Sequence, residues 1–212
     1  MRFPLLVSLI PVLVFGSSLR VAAQGAPVST ETVSAVQIEV ASVKFGSARA
    51  DGGGDYWMES IIELNVKPGG RQVSGEFLNR VRVTLNLGCT LGGAGAEKTY
   101  SFYKASGEMI AVEGGKAFVR FYLPPEVVKR DKLRGDPEFY LVELEVAGES
   151  QKITLNNTSK GINAAETLAS FKGKISSEAA ANEGVLMPQY LTPFASDSRR
   201  PSPTFLRREA QR

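Results

Sequence analysis

Residues 56–67 read YWMESIIELNVK. Tyr56, Met58, Ile62, Leu64 and Val66 fall on one side of a two-residue period and Glu59, Glu63, Asn65 and Lys67 on the other, the pattern of a β-strand with one face on a core. Pro68-Gly69-Gly70 stops it. Upstream, VQIEV alternates from Val36 to Val40, slips at Ala41-Ser42 and resumes at Val43 and Phe45, so a β-bulge is expected at the slip. The loop SARADGGGD joins the two runs.

Downstream, NRVRVTLNLGC repeats the alternation, with Arg80, Arg82, Thr84 and Asn86 on the wet side. TYSFYK, EMIAV and KAFVRFYL follow as three further runs. The last turns Ala117, Val119, Phe121 and Leu123 inward and Phe118, Arg120 and Tyr122 outward. Pro124-Pro125 must end that strand, and PPEVVKRDKLRGDP reads as one or two helical turns opened by proline and stopped by glycine. EFYLVELEVA is another strand, with QKITLN as its expected hairpin partner across AGES. Seven or eight strands between residues 35 and 156 at this turn spacing predict a mainly β chain: an immunoglobulin-like antiparallel β-sandwich. A closed barrel is the rival, because strand count alone does not separate the two.

The flanks differ in kind. Residues 1–23 carry Arg2 and then FPLLVSLIPVLVFGSSL, an apolar run broken by Pro4, Pro11 and Gly16, with Val21 and Ala23 where signal peptidase needs small residues. The segment reads as a signal peptide cleaved after Ala23, with an uncleaved anchor as the alternative. Export places the chain in the periplasm or at the cell surface, with no stable membrane anchor after cleavage. Residues 24–34 form a flexible lead. In 157–176, Asn163 and Glu166 stand in capping-box relation, and Leu168, Phe171 and Ile175 recur at the spacing of a short amphipathic helix. Residues 177–212, rich in Ala, Ser, Pro and Arg, are expected to be disordered. Their runs LMPQYLTPF and PTFLRR, with Tyr190, Phe194 and Phe205, read either as a solvated end or as a peptide that orders on a partner.

Composition excludes several kinds of chemistry. The chain has no histidine, which removes the usual serine and cysteine triads and every histidine-containing zinc site. Its one cysteine, Cys89, forms no intramolecular bridge, and the V81-V83-L85-L87-C89 spacing makes it a small core residue. Without Arg2 and Arg20, 23 basic residues face 22 acidic ones, so nucleic acid is not expected as a partner. Glu59, Glu63, Glu143 and Glu145 fall on outward strand positions, where a solvated face explains them better than a glycosidase pair. Asp51 and Asp55 flank three glycines but lack the dense oxygen spacing of a calcium loop, and a hairpin loop accounts for them. LGGAGA has neither the lysine nor the helix of a phosphate cradle. No cofactor, no metal and no catalytic residue is expected. Asn156 and Asn157 match the glycosylation pattern, which acts only in a eukaryotic secretory pathway.

What remains is recognition. Trp57, the only tryptophan, sits opposite the main apolar set, as do Phe118 and Tyr122. These three are candidate glycan-stacking or interface residues, and a register slip of one would return Trp57 to the core. Tyr190, Phe194 and Phe205 are the candidate contacts of the tail.

The signal peptide, YWMESIIELNVK, FVRFYLPPEVVKRDKLRGDPEFYLVELEVAG and the Pro-containing tail together resemble a group of secreted bacterial β-sandwich proteins encoded near type IV pilus components, over residues 35–156. The chain lacks the charged leader and following phenylalanine of a type IV pilin, so the resemblance implies an accessory or structural envelope role. The reading is a non-enzymatic interaction module whose partners are envelope or pilus-assembly proteins, engaged through sandwich edge strands or the tail. The alternative is a glycan-binding module.

Overall fold

The computed structural model describes residues 37–51, 53–67, 77–91 and 98–206. The segments read as a signal peptide (1–23) and as a flexible lead (24–34) lie outside them. Strand β1 (Gln37–Ala48) pairs antiparallel with β2 (Trp57–Lys67), and the register shifts between Val40 and Ser42, at the slip in the alternation. The short strand β3 (Phe77–Leu78) leads into β4 (Val81–Thr90) and β5 (Tyr100–Met109). After β6 (Val112–Glu113), β7 (Gly115–Leu123) returns to pair with β2. Helix α1 (Pro125–Arg130) starts with proline in its first turn and precedes β8 (Phe139–Val146) and the two-residue β9 (Glu149–Ser150).

Two four-stranded antiparallel sheets result, one ordered β1-β2-β7-β10 and the other β5-β4-β8-β9, with β10 (Met187–Pro188) drawn from the tail. The non-consecutive neighbours β2/β7 and β4/β8 are the crossings of an immunoglobulin-like Greek key. Period-two alternation puts Ile62, Leu64, Val66, Val119, Phe121 and Leu123 of one sheet against Val81, Val83, Leu85, Leu87, Val142 and Leu144 of the other. Burying each such side chain contributes roughly 1.5–3 kcal/mol, and this core is the main source of stability in a chain that cannot form an internal disulfide. Cys89 belongs to it at 2% exposure, and burial pushes its thiol up to about 12.

Several local expectations are corrected. TYSFYK and EMIAV are not parted at Ala105-Ser106-Gly107, because β5 runs through to Met109. QKITLN is not a full hairpin partner: pairing with β8 stops at Ser150, and residues 155–157 form a 3-10 turn. The turn is favoured there because Asn157 Oδ1 accepts from both Thr154 N (3.0 Å) and Thr154 Oγ1 (2.7 Å). The amphipathic helix, α2 (Ala165–Glu178), begins at an Ala164 cap with no side-chain bond, so the Asn163–Glu166 capping box does not form. Tertiary packing fixes the helix instead, with Phe171 and Ile175 buried against Phe102 and Leu141 on the outer face of the second sheet. Gly88 makes the seat, since a Cβ there would lie 3.2 Å from the Phe171 ring.

The largest correction concerns the tail. From 177 to 206 the chain is built into the fold, with Leu186, Gln189 and Phe194 each at most 2% exposed. Met187 and Pro188 pair with Tyr122 and Phe121 on the β7 edge. Further on, Ile110 N donates to Thr204 O (2.9 Å), Leu206 N donates to Glu108 O (2.7 Å), and Phe205 bridges to Met109 on the β5 edge. Gln189 ties the intervening loop together, its Nε2 donating to Phe194 O (3.0 Å) and Arg200 O (2.8 Å).

Candidate docking site

The outward positions of β2 and β7 are where the alternation put them, but the tail covers part of that face. Phe194 stacks on Tyr122, with ring centroids 4.5 Å apart and 21° between planes, and Trp57 meets Phe194 edge-on at 5.7 Å. Tyr122 and Phe194 are therefore withdrawn as partner or glycan contacts: each already has its aromatic partner inside the chain and is at most 1% exposed. Trp57 keeps a half-buried position. Tyr190 and Phe205 pair with each other at 5.0 Å. Phe118 stands apart, lining a 470 Å³ cavity between Pro201–Thr204 and the chain from Ala111 to Phe118.

An ion-pair network underlies this cover. Glu59, expected on a solvated face, is buried. It accepts from Tyr122 Oη (2.7 Å) and Arg200 Nε (3.2 Å), with Arg120 Nε 3.7 Å away. Burial and the bond to Glu59 both push the Tyr122 phenol up. Arg120 Nη1 donates to Pro201 O at 2.6 Å. Asp197 binds Arg199 and Arg200, which hold its carboxyl well below the usual range.

The other carboxylates weighed for calcium or catalysis are also committed to structure. Asp51 accepts from Arg199 (2.6 Å), and Asp55 pairs with Lys129, so the residues weighed for calcium serve as loop ties. Glu143 pairs with Lys172 (2.9 Å) and Glu145 with Arg82 (3.1 Å). Among the described residues no three His, Cys, Asp or Glu side chains gather as a metal cluster.

Sheet edges present unpaired backbone to partners, and several of them here are met by the chain's own segments. β10 covers Phe121 and Tyr122 of β7, and residues 204–206 cover the end of β5. On the opposite side, two adjacent asparagines of the 3-10 turn reach different sheets: Asn157 Nδ2 donates to Val142 O of β8 (2.8 Å) and Asn156 Nδ2 to Val40 O of β1 (3.1 Å). Both nitrogens of the glycosylation pattern are thus used as edge caps.

One of the stretches left open lies beside an apolar groove. Strand β1 is terminal in its sheet, and among the described residues no strand or turn other than β2 pairs with Val43–Ser47. Beside it opens a groove of about 330 Å³, lined by Phe45, Gly46 and Ser47 of β1, Tyr56, Trp57 and Met58, and Val128, Leu133, Gly135 and Asp136 from α1 and the loop after it. Tyr56 is 54% exposed and carries the Arg49 guanidinium 3.9 Å over its ring. Such an edge with an apolar groove at its side has the parts of a strand-addition site, backbone for affinity and a pocket for a side chain. Sequence reading supplied Trp57 but missed Tyr56, which it assigned to the core, and Asp136, which only the loop after α1 brings near β1.

No protein-family model matches the chain, and no curated protein matches it. Its fold is similar to that of a crystal structure from Akkermansia muciniphila, with a TM-score of 0.61 at 14% identity, covering 82% of this chain and 94% of that one. A likeness at this identity shows the shared fold alone.

Proposed function

We propose that the chain is a non-enzymatic protein-interaction module of the bacterial cell envelope, exported to the periplasm or cell surface as an accessory of a pilus or secretion assembly. The observation that carries this reading is the strand edge Val43–Ser47, which among the described residues pairs only with β2 and lies beside an apolar groove. The β8 edge is met by β9 and residues 151–159, the end of β5 by residues 204–206, and Phe121 and Tyr122 of β7 by β10. The bulge at Val40–Ser42 and the exposed Lys44 blunt β1 against indiscriminate pairing, so the stretch suits a specific partner strand. Export rests on the apolar run of residues 1–23, and the pilus association on the resemblance of residues 35–156. The tail contributes as part of the fold and not as a free docking peptide.

A photo-crosslinking residue at Gly46, where an added Cβ meets nothing within 4 Å, tests the reading in native envelope. Adducts with pilus or secretion components at Gly46, and none from the same probe at the exposed Lys160, are expected. Adducts only with unrelated proteins, or equal yield at both positions, overturn it.

A further inference from the structure

Resting on that reading of β1, we infer that the groove accepts one class of partner: an extended segment with a large apolar side chain next to a lysine or arginine. The floor fits the first requirement. Phe45, Met58 and Val128 are partly buried and pack on the core, while Leu133 is buried. Together with the exposed Tyr56 they leave about 330 Å³, room for one large side chain. Met58 brings the adaptable packing of an unbranched thioether. A strand added along Val43–Ser47 would direct alternate side chains to the groove side, as any strand does.

Charge at the rim supplies the second requirement. Lys129 is paired with Asp55, and Arg49 lies over the Tyr56 ring. Asp136 is exposed and lines the groove, and among the described residues it has no ion-pair partner. Arg134, two residues earlier, neither lines the groove nor pairs with it. Asp136 is thus the one charged side chain among those lining the groove, set beside an apolar floor, while the Arg49 guanidinium over Tyr56 is not part of the lining; the wall is the complement of an apolar side chain followed by a cation.

Titration of the isotope-labelled full chain with three synthetic peptides, TVTFTKTVT, TVTFTETVT and TVTSTKTVT, followed by amide chemical shifts, tests this. The first peptide is expected to shift Val43–Ser47 and Asp136. The second should bind about fivefold more weakly, the worth of one exposed ion pair, and the third more weakly still. The variant Asp136→Lys should reverse the order of the first two. No shift at Val43–Ser47 at about 1 mM peptide, or equal binding of the first two, overturns the inference. So does displacement of the first peptide by soluble peptidoglycan fragments, or shifts of the same amides on raising the protein concentration alone, which would assign the groove to a glycan or a second copy. Crosslinking from Gly46 to an assembly component alongside failed peptide binding would leave the proposed function standing and remove only this assignment.

Discussion

Phe194 lies flat on Tyr122 at 4.5 Å between ring centroids, joining a tail loop to the outward face of β7. Because both rings are at most 1% exposed, the pair works as core. Phe194→Ala is expected to lower unfolding free energy by about 3–5 kcal/mol, the usual result of deleting a buried phenylalanine. Trp57, edge-on to Phe194, reports locally, and its emission should move to the red in the variant. A urea midpoint and emission maximum unchanged from the wild type would show that the loop does not pack there.

Removal of residues 184–212 extends the same argument to the whole tail. It takes away the strand on β7, the closure of β5 and the Arg200 partner of Glu59. At about 3 °C of Tm per kcal/mol for a chain of this size, a drop of roughly 10 °C or more is expected, with binding of a hydrophobic dye. A truncated protein melting within about 2 °C of the full chain would mean the tail is dispensable.

These two predictions turn on what sequence reading shows poorly. The bulge was legible because Ala41-Ser42 interrupts a two-residue period, and the outward setting of Trp57 because its neighbours alternate without a break. Both are local signals. The tail was not legible, because its average composition hides a few well-placed side chains. Leu186, Phe194 and Phe205 find their sites on β5, β7 and the core, which are distant in sequence. Gly107 shows the same point from the other side. Read as a break between strands, it lies within β5, where an added Cβ would come within 2.7 Å of the Phe205 ring. The groove was half legible for a related reason: Trp57 and Phe45 come from alternation, whereas Asp136 joins them only through the path of the chain after α1.

The adjacent asparagines should separate cleanly. Asn157 is 2% exposed and holds Val142 O and Thr154 N, so Asn157→Ala strands two polar groups. A loss of about 1–3 kcal/mol is expected in chemical denaturation. Asn156 is exposed and caps only Val40 O, and Asn156→Ala should cost under about 1 kcal/mol, because water replaces its bond. Equal losses at the two positions would contradict the difference in burial.

Cys89 gives a test of core integrity. A thiol pushed up to about 12 by burial is almost wholly protonated at pH 8, and the thiolate is the reactive form. Modification by an aromatic disulfide reagent is expected to be slow in the folded protein and complete within minutes in about 6 M guanidinium, the denatured thiol having an ordinary pKa near 8.5. Rapid labelling of the folded chain would place Cys89 nearer the surface.

Part of the acid sensitivity should lie at the end of α1. Asp131 accepts from Arg130 and from the buried Tyr103 hydroxyl, and these bonds, Arg130 first, hold its carboxyl below the ordinary range. A folded-state pKa below the unfolded value of about 3.9 means that the contribution is present above that value and is lost as pH falls through the folded one. The urea midpoint of the wild type should therefore decline below about pH 4. Asp131→Asn keeps the shape but not the charge. It should be less stable at pH 7, by about 1–3 kcal/mol for weakened charge-assisted bonds, and its decline between about pH 4 and pH 2 should be shallower. Parallel profiles for wild type and variant would assign the acid dependence to other carboxylates, such as Glu138 with Thr90 and Lys98.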